Sequence, residues 1–117
     1  MRADVAREIQ RRLRKWRMAT IKQEALTKTQ FAAKAQVGVS TIQDWFNAEP
    51  NEFNPSLEQL SSFLAACNKN LGDLFDFLAA RVDDDTRNLI LRAHEHPLTK
   101  IQLKALLDMV KEADKLL

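Results

Sequence analysis

The chain has 117 residues, 45% of them hydrophobic, with a net charge of +2, two glycines, three prolines, one cysteine and no tyrosine. That hydrophobic share excludes a disordered chain and suits one domain, or one small domain with an appendage. No apolar run reaches the roughly 18 residues of a membrane span, the basic start lacks the apolar segment of a secretion signal, and a lone cysteine closes no internal disulfide, so the expected setting is a reducing cytoplasm.

Scarce glycine and proline, with few β-branched runs, leave little material for hairpins, and the expected class is all-α. The charge is uneven. Residues 1–47 hold ten Lys or Arg against four Asp or Glu, whereas residues 48–117 hold eight against twelve. A basic half suits a polyanionic partner. The plainer alternative is a solvated helix face that happens to be basic.

Residues 3–18 predict a first helix. Val5, Ile9, Leu13 and Trp16 recur at helical spacing as one apolar stripe, and Arg7, Arg11, Arg12, Arg14, Lys15 and Arg17 take the other faces. Trp16 reads as core rather than as a platform for a base. Residues 19–27 extend this helix less regularly. Thr20 and Thr27 are both N-cap candidates, Thr27 the better because a helical turn starts at Lys28.

Lys28 to Asn47, KTQFAAKAQVGVSTIQDWFN, reads as two short helices joined by a tight turn. Phe31, Ala32 and Ala35 share one face of the first. Val37 sits in the turn. Ile42, Trp45 and Phe46 share one face of the second, and Val39, Ser40, Gln43, Asp44 and Asn47 are left facing outward. A helix-turn-helix puts such a short, mostly polar face into the major groove of DNA.

Glu49–Pro50 and Asn54–Pro55 then stop the helix, since proline disfavours helix at the residue before it. Ser56 can cap a fourth helix carrying Leu57, Leu60, Phe63, Leu64 and Cys67, and Asn70 a fifth carrying Leu71, Leu74, Phe75 and Leu78. Asp83, Asp84 and Asp85 read as a hinge whose carboxylates oppose the dipole of a sixth helix over residues 86–95. Pro97 breaks it. Thr99 and Gln102 form a capping box for a last helix with a wide stripe of Leu103, Leu106, Leu107, Val110 and Ala113.

No enzyme is visible in this pattern. The chain has no Ser-His-acid set, glycine-rich phosphate loop or paired carboxylate motif. Three consecutive Asp do not converge on a metal, and His94 and His96 point to different sides of a helix. Cys67 fits an apolar face and reads as core. No metal and no cofactor are expected.

The segment LTKTQFAAKAQVGVSTIQDWFNA, followed by NPSLEQLSSFLAACNKNLGDLF, resembles the Cro/C1-type, or xenobiotic-response-element-like, helix-turn-helix family over about residues 5–80. Its best-known member is the phage lambda repressor. The resemblance implies a five-helix lambda-repressor-like DNA-binding domain, here with a C-terminal extension of two helices. It implies base contacts from Val39, Ser40, Gln43 and Asp44, and backbone contacts from Lys28, Thr29 and Asn47. Arg14 and Arg17, late on the first helix, are further phosphate candidates. The chemistry agrees. Gln43 can pair with adenine, Ser40 can serve several bases and Val39 can touch a thymine methyl. Lys28 lies at a helix N-terminus that favours phosphate.

Two residues depart from the family pattern. Gln36 stands where the family has a glycine in the left-handed turn position, a strain of about 1 kcal/mol unless the turn is rebuilt around Gly38. Asp44 puts an acid on the face offered to DNA, where it either accepts from a cytosine amino group or pairs elsewhere.

The expected protein is therefore a DNA-binding transcriptional regulator, a phage-type repressor that binds a palindromic operator on double-stranded DNA. It would act in the cytoplasm, on the nucleoid of a bacterial or phage-infected cell, with no membrane contact. Residues 1–81 would form the DNA-binding domain. Residues 82–117 would form a helical hairpin that either packs on the core or, the preferred reading, dimerises through Leu103, Leu106, Leu107 and Val110. One alternative is the antitoxin of a toxin–antitoxin pair, with a protein partner on the C-terminal helices. The other is a protein-interaction adaptor on a degenerate helix-turn-helix fold, which Gln36 and Asp44 would suit.

Overall fold

The computed structural model describes residues 3–50, 52–79, 84–95 and 101. Six α-helices follow one another: α1 Ala3–Glu24, α2 Lys28–Ala35, α3 Val39–Asn47, α4 Leu57–Ala66, α5 Leu71–Phe75 and α6 Asp84–Glu95. A 3-10 turn, Asp76–Leu78, continues α5, and no strand occurs among the described residues. The fold is all-α.

The helix starts follow from local chemistry. The Thr27 hydroxyl accepts from the Gln30 N–H at 3.0 Å, and the Gln30 side chain accepts from the Thr27 N–H at 2.8 Å. This reciprocal box satisfies two N–H groups that the first turn of α2 leaves open. Ser56 caps α4 through the Gln59 N–H, and Asn70 forms a second box with Asp73 at the start of α5. Asp84 and Asp85 lie in the first turn of α6, where negative charge opposes the helix dipole.

The helix stops are less ordinary. Ala25, Gln36 and Asn68 all have positive φ, at 54°, 57° and 56°. Each sits just beyond a helix and lets the next N–H reach back five residues: Leu26 to Ile21 O, Val37 to Ala32 O and Lys69 to Leu64 O. These are Schellman motifs, which usually use glycine because the left-handed region strains any residue with a Cβ. Here alanine, glutamine and asparagine end α1, α2 and α4.

The expected first helix is lengthened. It runs on to Glu24, and Thr20 is a buried interior residue rather than a cap. Across the core the Thr20 hydroxyl bonds the Cys67 thiol, itself buried. Phe63 of α4 is the centre of that core. Its ring lies 5.2 Å from Phe31 of α2, 5.9 Å from Trp45 and 6.4 Å from Phe46 of α3, two of the three pairs being edge-on. Edge-on pairs of this kind add about 0.5–1.5 kcal/mol beyond simple burial. Phe53 anchors the loop between α3 and α4 in the same cluster.

Polar ties help to orient α1 on α2 and α5. Arg12 donates to the Asp73 carbonyl and to the Asp76 carboxylate at the end of α5, at 2.8 and 2.7 Å, and lies over the Phe77 ring. Lys34 of α2 holds both oxygens of Glu24 at 2.7 Å. Helix α6 packs against α5: Ile90 is fully buried in the common core, and Arg87 donates to Ala79 O at 2.7 Å. The expectations for Asp83, His96, the Thr99–Gln102 box and the Leu103, Leu106, Leu107 and Val110 stripe lie outside the described residues.

Candidate nucleic-acid interface

The turn between α2 and α3 fixes how α3 is presented. Gln36 takes the left-handed conformation itself, at φ 57° and ψ 34°, and Ala32 and Val37 are buried on either side of it. The turn is not rebuilt around Gly38, which has φ −60° and ψ 147° as the N-cap of α3. The left-handed turn is therefore made by Gln36 itself, at the strain expected for glutamine.

Helix α3 divides cleanly. Ile42, Trp45 and Phe46 are buried, and Val39, Ser40, Gln43, Asp44 and Asn47 are all exposed. Val39 is 42% exposed, a large apolar side chain left in solvent on an otherwise polar ridge. No ion pair among the described residues includes Asp44. Lys28 and Thr29 are exposed at the start of α2, ahead of its first backbone bond from Phe31 N–H to Thr27 O. Their N–H groups lie where helix geometry favours an anion.

The two arginines named from the sequence differ in setting. Arg14 is exposed, donates to Phe46 O at 2.9 Å and lies 5.3 Å from the Phe46 ring. Arg17 does not sit on an outer face as the stripe predicted. It is 7% exposed, with its guanidinium carbon 4.6 Å from the same ring. Its Nε is buried without a hydrogen-bond partner. Burial lowers its pKa from the ordinary arginine value, and the nearby Arg14 charge lowers it further. A buried guanidinium with no carboxylate on it is costly unless an anion arrives from outside.

Gln10 escaped the sequence reading. It is buried on α1 and its amide donates to Trp45 O at 2.8 Å and Ala48 O at 3.0 Å. A signal was present: Gln10 is the only uncharged polar residue between Arg7 and Arg17, and it borders the apolar stripe.

Among the described residues no three His, Cys, Asp or Glu are placed to share a metal ion, and no helix is long and apolar enough to cross a membrane. No curated protein and no solved structure matches the chain. A helix-turn-helix family model matches residues 11–74, more than half of the chain. That span takes in most of α1, the α2–turn–α3 unit with its exposed ridge, and α4 and most of α5. With the geometry and the match in agreement, the chain belongs to the Cro/C1-type helix-turn-helix family, whose members are DNA-binding regulators.

Proposed function

We propose that the protein is a repressor that occupies a palindromic operator as a dimer and blocks transcription from it. The observation that carries this reading is the ridge of α3, with five side chains exposed and three large neighbours buried beneath them. Val39, Ser40, Gln43 and Asp44 read base edges. Gln43 offers a paired donor and acceptor suited to adenine, and Asp44 an acceptor suited to the cytosine amino group. Lys28, Thr29 and Asn47 hold the phosphate backbone beside them, and Arg14 and Arg17 supply further positive charge.

A single domain of this size makes few base contacts, so a second copy supplies the other half-site about 34 Å along the duplex. By their spacing in the sequence, Leu103, Leu106, Leu107 and Val110 are the residues assigned to that pairing. The left-handed turn made by Gln36 supports DNA binding over the adaptor alternative, which leaned on that residue.

Binding-site selection from random duplexes tests the proposal. The expected product is a palindromic consensus with half-sites about 10 base pairs apart, bound with an affinity that falls steeply with salt. Failure to enrich any duplex at low ionic strength overturns it. Sedimentation of the full chain is expected to give a dimer, and of Leu106→Glu a monomer.

A further inference from the structure

The recognition helix does not finish itself. Helices α1, α2 and α4 close their last carbonyls with local left-handed turns. Helix α3 ends otherwise. Its cap residue Ala48 is extended, at φ −64° and ψ 143°, and its last turn holds no basic residue. The Ala48 N–H donates to Asp44 O at 2.8 Å, which leaves the Trp45, Phe46 and Asn47 carbonyls without a backbone partner. At the other end Gly38 supplies no side-chain cap.

The missing bonds come from α1, more than thirty residues earlier. Gln10 reaches Trp45 O and Ala48 O, and Arg14 reaches Phe46 O. Residues 10 and 14 are four apart and so lie above one another on one side of α1. We propose that Gln10 and Arg14 are positioning residues for DNA recognition: they hold the end of α3 on α1 and so set the angle at which the α3 ridge meets the bases. The inference rests on the DNA-binding reading above. A helix of nine residues has no independent stability. Its tilt is set by the turn at one end, the aromatic packing beneath it and this clamp at the other. Base reading needs side chains held to within about half an ångström, whereas phosphate attraction does not. Loosening the clamp therefore lowers discrimination and leaves nonspecific affinity alone.

The test uses the full chain, the duplex enriched by wild-type protein and a scrambled duplex of the same length. Gln10→Met keeps the side chain's size and removes the donor. Its expected effect is a roughly tenfold fall in the affinity ratio between the two duplexes, the worth of about one good base contact. Affinity for the scrambled duplex and its salt slope stay as in wild type. Ile9→Val, a core change one residue away, is the control. It lowers stability without touching the clamp, and its ratio is expected to stay unchanged. Arg14→Met lies at an exposed position and keeps the test open should Gln10→Met not fold. It is expected to weaken both duplexes and to lower their ratio as well. If the wild type enriches no duplex, the DNA-binding reading falls and this inference with it. If it enriches one, and the folded variants discriminate as sharply as wild type, the positioning role alone is overturned.

Discussion

Glycine is placed the wrong way round for stability in the turn between α2 and α3. Gln36 holds the left-handed conformation, and Gly38, two residues on, holds an ordinary extended one. An L-residue in the left-handed region costs about 1–2 kcal/mol, and glycine's extra freedom in the unfolded chain takes back about 0.4–1 kcal/mol. Gln36→Gly is thus expected to stabilise by about 0.5–1 kcal/mol. At Gly38 a Cβ would meet only Thr41 Oγ1, at 3.6 Å, an ordinary contact. Gly38→Ser adds a hydroxyl that can accept from the Thr41 N–H and restricts the unfolded chain, together worth about 0.5–1 kcal/mol. The double variant should gain about 1–2 kcal/mol. In urea unfolding that appears as a higher midpoint at unchanged slope, and in calorimetry as a rise of roughly 4–8 °C per kcal/mol. Ala25→Gly should gain about as much as Gln36→Gly, and Asn68→Gly less, because asparagine tolerates the left-handed region better. A Gln36→Gly protein no more stable than wild type, or a Gly38→Ser protein less stable, would refute this account of the turn.

Three further outcomes are expected. Arg17→Met should leave stability unchanged or raised, because it removes a buried charge with no described counter-ion, while DNA affinity falls and the salt slope flattens by about one phosphate; a large loss of stability by urea titration would show the guanidinium to be structural instead. Gln43→Ala should cost about 1–3 kcal/mol on the selected operator and relax preference at one base pair, whereas Lys28→Ala should weaken every duplex alike; equal losses on operator and random DNA for both variants contradict those roles. Glu8 is held down to about pKa 2, first by its hydrogen bond from Arg11 and then by Arg12, with partial burial opposing. A carboxylate depressed in the folded state stabilises above its unfolded pKa and loses that contribution as pH falls. The stability difference between wild type and Glu8→Gln should therefore shrink between about pH 4.5 and pH 2 in acid titration.

The parts of this fold that were legible in the sequence are those written within one turn of helix. Thr27, Ser56 and Asn70 announce helix starts because each caps a backbone N–H three residues away. The apolar spacing of Phe31, Ala32 and Ala35, then Ile42, Trp45 and Phe46, marks the buried faces, and all six are buried. What escaped depends on contacts between distant residues. Thr20 has the chemistry of a cap but is a buried interior residue of α1, bonded to Cys67. Arg17 has the chemistry of a surface cation, and the Phe46 ring of another helix covers it. Gln10 acts on carbonyls 35 and 38 residues later, and Arg12, besides its local bond to Glu8, on Asp73 and Asp76 more than sixty residues later. Helical periodicity assigns a residue to a side of its helix, but it does not say which sides a neighbouring helix will cover.

The same division separates the fold from the specificity of the site. Among the described residues, the side chains of Val39, Ser40, Gln43, Asp44 and Asn47 carry no hydrogen bond, ion pair or ring contact within the chain. Exposed positions of this kind typically change stability by less than about 0.5 kcal/mol when substituted. The free energy that keeps α3 helical comes instead from Phe63 beneath it, from the Schellman turn before it and from Gln10 and Arg14 behind it. The ridge can therefore exchange its side chains at little cost to folding, and on the proposed reading its preferred bases with them. It follows that no reading of the core predicts the operator. On the function proposed above, the operator would depend on the part of α3 that the fold leaves unconstrained, presented at an angle that Gln10 and Arg14 would help to set.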